Sequence, residues 1–476
     1  MDTTTSRIRP GVILALVCGA QFMVVLDIAI VNVALPSIQQ ELDVSQSTLQ
    51  WVVIAYGLLL GGFLLLGGRM ADLLGRRRMF LTGVTIFSAA SLVAGVAQSS
   101  SVLITARGFQ GFGAALVAPA ALSILAVTFA EGQERNRALG IFGAVGGTSA
   151  SVGVIASGLL TDGPGWRWVF FINIPVGIVL ISLAATFLVA DDRVRATRNF
   201  DVAGGATVTA GLLLLVYGLN RGAEDGWTSI TTLLVFAAAA LMLASFVRIE
   251  MRSSAPLVPA AALRHRTLVA ANLSAFFAFS AFFSFIFLAT LLMQQVLGYS
   301  PTKTGVAWLA TSVTAFIAAA VTGARLVALV GVRKLLVTGL SLLAISMLWL
   351  TRVPADASYV ADLLPAFLVA GVAIGLCGPS VQIGALSGVS ESTSGLASGL
   401  VETMREIGGA AGVASVSTVL VSRAGVDGFR AGFIAISVAA ILGALTAGIG
   451  FPRRAKIADA DAGKDTLVPA TMTIEG

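Results

Sequence analysis

Fourteen long apolar segments recur along this chain, and that recurrence limits its possible folds more than any single motif does. A helix crossing a bilayer needs about 20 largely apolar residues. Segments of that kind lie near 12–34, 48–68, 79–97, 101–122, 138–160, 168–189, 201–219, 230–248, 267–294, 303–324, 335–351, 359–383, 400–421 and 428–450. Of the 476 residues, 57% are hydrophobic and 11% charged, with a mean hydropathy of +0.93. A soluble domain carries about 25% charged residues, so a compact core could not hide this much apolar surface from water. The sequence reads as an all-α polytopic membrane protein, which excludes a soluble enzyme, a nucleic-acid binder and a secreted scaffold. The first segment is too long for a signal peptide and no small-residue cleavage site follows it, so it is expected to remain as a helix.

The charges are distributed unevenly between alternate loops. Arg69, Arg76, Arg77, Arg78, Arg135, Arg137, Arg193, Arg248, Arg266, Arg333 and Lys334 fall in loops on the side of the N-terminus, while Arg167, Arg221 and Lys303 fall opposite. In full the count is roughly 22 basic residues against 6, a strong positive-inside bias. It puts both termini in the cytoplasm of a multi-pass protein of the bacterial inner membrane. It also explains the +6 net charge by topology and lipid contact rather than by nucleic acid. The chain holds one histidine, His265, and two cysteines, Cys18 and Cys377, in apolar runs. Neither a disulfide framework nor a metal site can be assembled from these. No phosphate-binding Walker loop is present, so a driving cofactor is not expected; the proton motive force would serve instead.

An internal repeat is visible. Leu42-Asp43-Val44-Ser45 after the first segment is matched by Leu297-Gly298-Tyr299-Ser300 after the ninth, and Gly75-Arg76-Arg77 by Gly331-Val332-Arg333-Lys334. The offsets agree within one residue. The expected domains are an N-terminus over 1–11, a six-helix bundle over 12–190, two inserted helices over 200–250, a second six-helix bundle over 266–450 and a disordered tail over 455–476. Two related bundles around a midplane site are an architecture of secondary transporters.

Charge within hydrocarbon costs at least ~2.5 kcal/mol per group on insertion scales, so each instance needs a reason. Asp27 lies inside the first segment and Arg107 inside the fourth. At 1.5 Å per residue, Asp27 sits ~22 Å from one face and Arg107 ~21 Å from the same face of a ~30 Å core. The two can therefore meet. Asp27 reads as a protonatable, cargo-facing carboxylate tuned by Arg107, or else as half of a structural ion pair. Gln110 shares the Arg107 face. In the loop Gly68-Arg69-Met70-Ala71-Asp72-Leu73-Leu74-Gly75-Arg76-Arg77-Arg78, topology requires arginines but not an acid. Asp72 can accept hydrogen bonds from a neighbouring helix N-terminus or from arginines, which makes Gly68, Asp72, Gly75, Arg76 and Arg77 a candidate conformational latch.

This loop resembles the signature loop of the major facilitator superfamily, and Arg107-Gly108-Phe109-Gln110-Gly111 resembles its helix-4 proton-transfer motif. Leu26-Asp27-Ile28-Ala29-Ile30-Val31-Asn32 and Gly165-Trp166-Arg167 through Asn173-Ile174-Pro175 are similar to motifs of its fourteen-helix drug:proton antiporters. The resemblance implies the major facilitator fold with two added helices, and export of small amphiphilic or cationic drugs in exchange for protons by a monomer. A dedicated exporter of one endogenous metabolite or antibiotic is the nearest alternative; a proton-coupled uptake symporter is a further one. An enzyme is not expected, since no nucleophile–base or metal constellation is present.

Two departures from the family pattern stand out. The fifth segment has Gly153-Val154-Ile155-Ala156-Ser157-Gly158 where antiporters usually carry Gly-Pro and paired glycines. Without the proline it should kink less, while Gly153, Ser157 and Gly158 still permit close helix packing. The thirteenth has Glu402, Arg405 and Glu406 on one face where amides are usual. They read as a self-neutralising, water-accessible cluster near the cytoplasmic end, or as a second proton-coupling site. Seven phenylalanines between Phe276 and Phe287 read mainly as lipid and packing residues, with one or two, such as Phe279 and Phe283, lining a cargo cavity. Trp51 and Tyr56 are weaker cargo candidates.

Overall fold

The computed structural model describes residues 10–189, 201–253, 256–258, 264–354, 356–390, 393–421 and 425–452. Residues 1–9, the linker 190–200 and the tail from 453 onward lie outside the described residues, so the tail assignment does too. Among the described residues there are fourteen helices of fifteen residues or more. They are α1 (Pro10–Leu42), α2 (Gln46–Leu74), α3 (Arg76–Gly95), α4 (Ser100–Thr128), α5 (Gln133–Asp162), α6 (Asn173–Phe187), α7 (Val202–Asp225), α8 (Ile230–Glu250), α9 (Arg266–Leu291), α10 (Pro301–Val321), α11 (Val332–Leu350), α12 (Leu364–Leu386), α13 (Ser394–Val421) and α14 (Val426–Gly450). Twelve, with α6 counted together with the short turn Trp168–Phe171 that precedes it, are long and apolar enough to cross a membrane. The other two, α5 and α13, have 30 and 28 residues, enough to span at 1.5 Å per residue, but they are richer in small and polar side chains.

The repeat read from sequence reappears as geometry. Ser45 and Ser300 have the same backbone angles, φ −65° and ψ 156°, and each accepts a backbone N–H at 3.2 Å to cap α2 and α10. Asp43 and Gly298 both have positive φ, at 46° and 66°. Gly75 and Gly331, at φ 99° and 84°, start α3 and α11, a backbone that L-residues rarely adopt. Packing follows the same rule. In the first half α1 packs on α5, α2 on α4 and α3 on α4; in the second α9 packs on α13, α10 on α12 and α11 on α12. Across the halves, α5 meets α10 and α13 meets α2, each the counterpart of the other.

The first half is filled by Leu16, Met23, Phe80, Phe87 and Phe142, each nearly inaccessible. The second is built on an aromatic group in which Phe285 and Trp308 both contact Phe367. The inserted pair sits beside the seam of the halves: α7 packs on α2, α13 and α8, and Trp227 Nε1 donates to Thr418 of α13 at 2.6 Å. α8 buries only Thr232 and Ala239 and presents Ile230, Leu234 and Leu241 outward, as a lipid-facing helix would.

The inserted pair apart, the links between halves cluster at one end of the bundle, here termed the basic face because it carries Arg69, Arg76, Arg135, Arg266 and Arg333. There α2 and α13 touch through Gly68, Gly395 and Gly399. A Cβ on Gly68 would lie 2.3 Å from the Gly395 carbonyl oxygen and 2.9 Å from the Gly399 Cα. α5 meets the end of the α10 segment through Gly140 and Gly323, where an added Cβ would lie 2.7 Å from the facing Cα. Small residues are what permit such backbone approach between helices.

Candidate functional site

Asp27 occupies the middle of α1, in a stretch with no other charge. Asp27 is inaccessible, as is Gln110, and Arg107 and Asn173 are each 1% exposed. Arg107 Nη1 donates to one carboxylate oxygen, forming the ion pair that the depth arithmetic allowed. The other oxygen accepts from Asn173 Nδ2 at 2.8 Å and Gln110 Nε2 at 3.1 Å. Gln110 closes the ring: its Oε1 accepts from Arg107 Nη1 at 3.0 Å and its Nε2 donates to Ser91 Oγ at 2.8 Å. Arg107 Nε donates to the Val52 carbonyl at 3.0 Å, and its guanidinium lies 4.3 Å over the Tyr56 ring. Five helices of the first half, α1, α2, α3, α4 and α6, thus contribute to the network around one carboxylate. The net charge of the pair is zero, the form in which a buried pair is tolerated.

Asp27 and Gln110 therefore lie inside the first bundle in this conformation rather than on a cargo-facing wall. Tyr56 is likewise 2% exposed, as the floor beneath Arg107, with its hydroxyl 3.4 Å from the Val24 carbonyl. Trp51 departs furthest from a cargo role: it is 37% exposed and its ring packs against Tyr217 of α7. Asn173 and Ser91 were not singled out from sequence. Asn173 had a signal, as a lone amide at the start of an apolar helix; Ser91 had none, because a serine in a helix commonly satisfies itself on the preceding turn, as this one also does on Phe87.

α5 supports the acid from behind. A Cβ on Gly153 would come 2.8 Å from the Ala29 Cβ and 2.9 Å from the Leu26 carbonyl oxygen, so only glycine lets α5 approach α1 one turn from Asp27. Ser157 Oγ donates to the Ile30 carbonyl at 2.6 Å, taking up the position where a family glycine would stand. α5 holds no proline and runs unbroken from Gln133 to Asp162. The surroundings of Gly158, and the side chain of Asn32, fall outside the described residues.

The candidate latch residues are at the basic face. Asp72 is 8% exposed, and its two oxygens accept the N–H groups of Gly395 and Leu396, each at 2.8 Å. An acid at a helix N-terminus satisfies orphan donors and meets the positive end of the helix dipole. Here the acid belongs to one half and the helix to the other. Arg76 Nε donates to Ser123 Oγ at 2.9 Å, and Ser123 lies 2.7 Å from Ser394. Arg77 does not join the seam: it donates to the Ala185 carbonyl at 2.6 Å, within the first half. On the opposite face Glu41 pairs with Arg167 and accepts from Trp166 Nε1 at 2.7 Å. The Arg167 hydrogen bond holds the Glu41 carboxyl below its usual range.

The acids of α13 correct the expectation of a solvated cluster near a helix end. Glu402 is 6% exposed, and both of its oxygens accept from Arg405 Nη1 at 2.6 Å. The Arg405 guanidinium lies 4.3 Å over the Phe279 ring. Counting from Ser394, Glu402 and Glu406 stand ~12 and ~18 Å into the helix, so Glu406 is near mid-depth. Glu406 is half-buried, on the face toward Gly61 of α2. Phe283 lies against Gly409 and stacks on Phe282; Phe279 and Phe283 are half-buried, whereas Phe285 is sealed in the core.

Paired bundles, a closed seam at one end and charges enclosed at mid-depth define a membrane transporter of the secondary class. The family model described as Major Facilitator Superfamily matches residues 17–263 and 271–471. The chain belongs to that superfamily. It is 36% identical over 408 residues to the puromycin resistance protein pur8 of Streptomyces alboniger, covering 85% of this chain and 81% of that one. It is also 36% identical to the cephamycin export protein CmcT of Amycolatopsis lactamdurans, over 85% and 84% of the two chains. To the multidrug resistance protein Stp of Mycobacterium tuberculosis it is 35% identical, over 84% and 74%. Among solved structures, the human organic anion transporter MFSD10 (TETRAN) superposes with a TM-score of 0.69 at 14% identity, covering 92% of this chain and 99% of that one. The proton:xylose symporter XylE gives 0.64 at 15% identity, over 92% and 94%. At such identities these two speak for the fold alone.

Proposed function

We propose that the chain is a proton-coupled exporter of amphiphilic or cationic compounds, crossing the bacterial cytoplasmic membrane fourteen times and working by alternating access. The positive-inside rule makes the basic face cytoplasmic, so the conformation described is closed toward the cytoplasm. The observation that carries the reading is the Asp27–Arg107 pair. Protonating Asp27 cancels its charge, releases Arg107 from its partner and leaves a lone guanidinium at mid-depth, a state that must rearrange. Return of the proton to the cytoplasm restores the pair. A potential of 100 mV supplies about 2.3 kcal/mol per charge moved, so no cofactor is needed. Asp72 would stabilise the inward-closed state. Phe279 and Phe283 would form part of an apolar cargo wall, and Glu406 a carboxylate for cationic cargo or a second proton, with Glu402 held by Arg405. The relatives named for resistance and export support the outward direction.

A second reading, a dedicated exporter of one antibiotic or metabolite, is favoured by relatives named for a single compound, puromycin or cephamycin. The test is reconstitution in liposomes with an imposed proton gradient and a panel of cationic dyes and antibiotics. Gradient-driven movement of several unrelated cations supports the first reading, and of one compound the second. Movement that ignores the gradient, or that survives Asp27→Asn at full rate, removes the coupling assignment.

A further inference from the structure

Beyond α8 the chain returns to the seam of the two halves, and two of its residues are buried there in an unexpected way. Leu257 and Val258 are loop residues at 2% and 8% exposure. They share one apolar cluster with Leu65 of α2, Leu212 of α7 and Leu396 of α13. Leu396 is also the residue whose N–H donates to Asp72. Among the described residues, the backbone bonds that hold the loop come from α2 and α8. Leu257 N–H donates to Glu250 Oε1 at 2.8 Å, the Val258 N–H is directed to the same carboxylate, and Arg69 Nη2 donates to the Pro256 carbonyl at 3.2 Å. Arg69 stands one turn before Asp72 near the end of α2. The anchors are thus on α2 and α8, while Leu396 is on the other half.

We propose that Pro256–Val258 is a strap that completes the inner gate, with Arg69 and Glu250 as its positioning residues. The strap stays with α2 and the inserted pair, and its two apolar side chains meet α13 only while the basic face is closed. Opening parts Leu396 from Leu257 and Val258 and returns apolar surface to water, which weights the equilibrium toward the inward-closed state. This gives the inserted helices a purpose: they carry the strap to the seam. The inference rests on the alternating-access part of the proposed function, and on neither Asp27 nor the cargo.

The test uses the full chain in nanodiscs, with Cys18→Ala and Cys377→Ala to clear the background and spin labels at Leu74→Cys and Leu329→Cys. Both positions are exposed, one on each half near the basic face. Pulsed electron spin resonance then reads the short and long inner distances. Leu257→Ala with Val258→Ala should raise the long-to-short ratio roughly tenfold, the size expected for removing two buried apolar side chains from one state. Glu250→Ala should act in the same direction, and Glu250→Gln, which keeps an acceptor oxygen, should stay near the parent. Two populations in the parent that neither Leu257→Ala with Val258→Ala nor Glu250→Ala alters would overturn the strap. A single population under all conditions would instead count against alternating access, and the strap would fall with it. Where the double variant does not fold, a Val258→Cys, Leu396→Cys pair bridged by a short bismaleimide replaces it: the bridged protein should lose the long distance, and its persistence would equally overturn the proposal.

Discussion

Asp72 on the first half accepts the Gly395 N–H of the second half at 2.8 Å, so one carboxylate caps a helix it is not covalently near. The bond is made to a helix end that belongs to the other half. Any separation of the halves at this face must first strip the α13 N-terminus of its acceptor.

Asp72→Asn keeps an acceptor but loses the charge and one oxygen. Loss of a cap costs about 1 kcal/mol, and the burial at this site raises the effect. The variant should spend more time open at the basic face and export more slowly with unchanged expression. Labelling of inner-face cysteines by a membrane-impermeant maleimide in inside-out vesicles would report it; unchanged labelling would contradict the latch.

Arg107→Gln leaves Asp27 buried without its cation, and Asp27→Asn leaves Arg107 alone. Breaking one side of a buried pair costs about 3–5 kcal/mol. Each single variant should unfold at a lower temperature in detergent, and the double variant should regain much of the loss, without recovering proton-coupled transport. Thermal unfolding and proton uptake in liposomes separate the two effects. Additive destabilisation in the double variant would argue against direct coupling.

Gly153→Ala tests the approach of α5 to Asp27. The added methyl would meet Ala29 and the Leu26 carbonyl at under 3 Å. Overpacking of this kind typically costs 1–3 kcal/mol, and here it also displaces the turn bearing the acid. Transport should fall more than expression does. Ser157→Gly removes only a hydroxyl donor and should be milder in the same assays.

Glu406→Gln should leave the fold intact, because it keeps the size and polarity of the side chain, while Glu402→Gln should loosen Arg405 from its seat on Phe279. In a transport panel, Glu406→Gln is expected to weaken handling of cationic compounds several-fold and leave neutral ones near the parent. Equal effects on both classes would assign the residue to structure or to the proton instead.

Much of this arrangement was legible in the sequence because helical rise is regular. Asp27 and Arg107 could be matched in depth by counting residues, and Asp72 stood out as an acid that topology did not require. Position around a helix was harder to read. Trp51 could be read from sequence only as a weak cargo candidate, because nothing in its own helix told which neighbour its ring meets; it is Tyr217 of the inserted α7. Glu402 looked solvated because two acids near a helix start usually are; Arg405, three residues on, supplies both of its contacts and makes burial affordable. Asn173 reaches Asp27 from 146 residues away, a convergence that only the packed bundle sets.

The glycine-on-glycine contacts at the basic face have a kinetic meaning. Gly68 against Gly395 and Gly399, and Gly140 against Gly323, bring bare backbones together with few side chains meshed across the line. Such a joint has little to unlock when it slides or tilts, so the barrier to rocking is set by a handful of polar bonds and by what fills the seam beside them. A bulky substitution along either line would wedge the joint apart without touching the Asp27–Arg107 network.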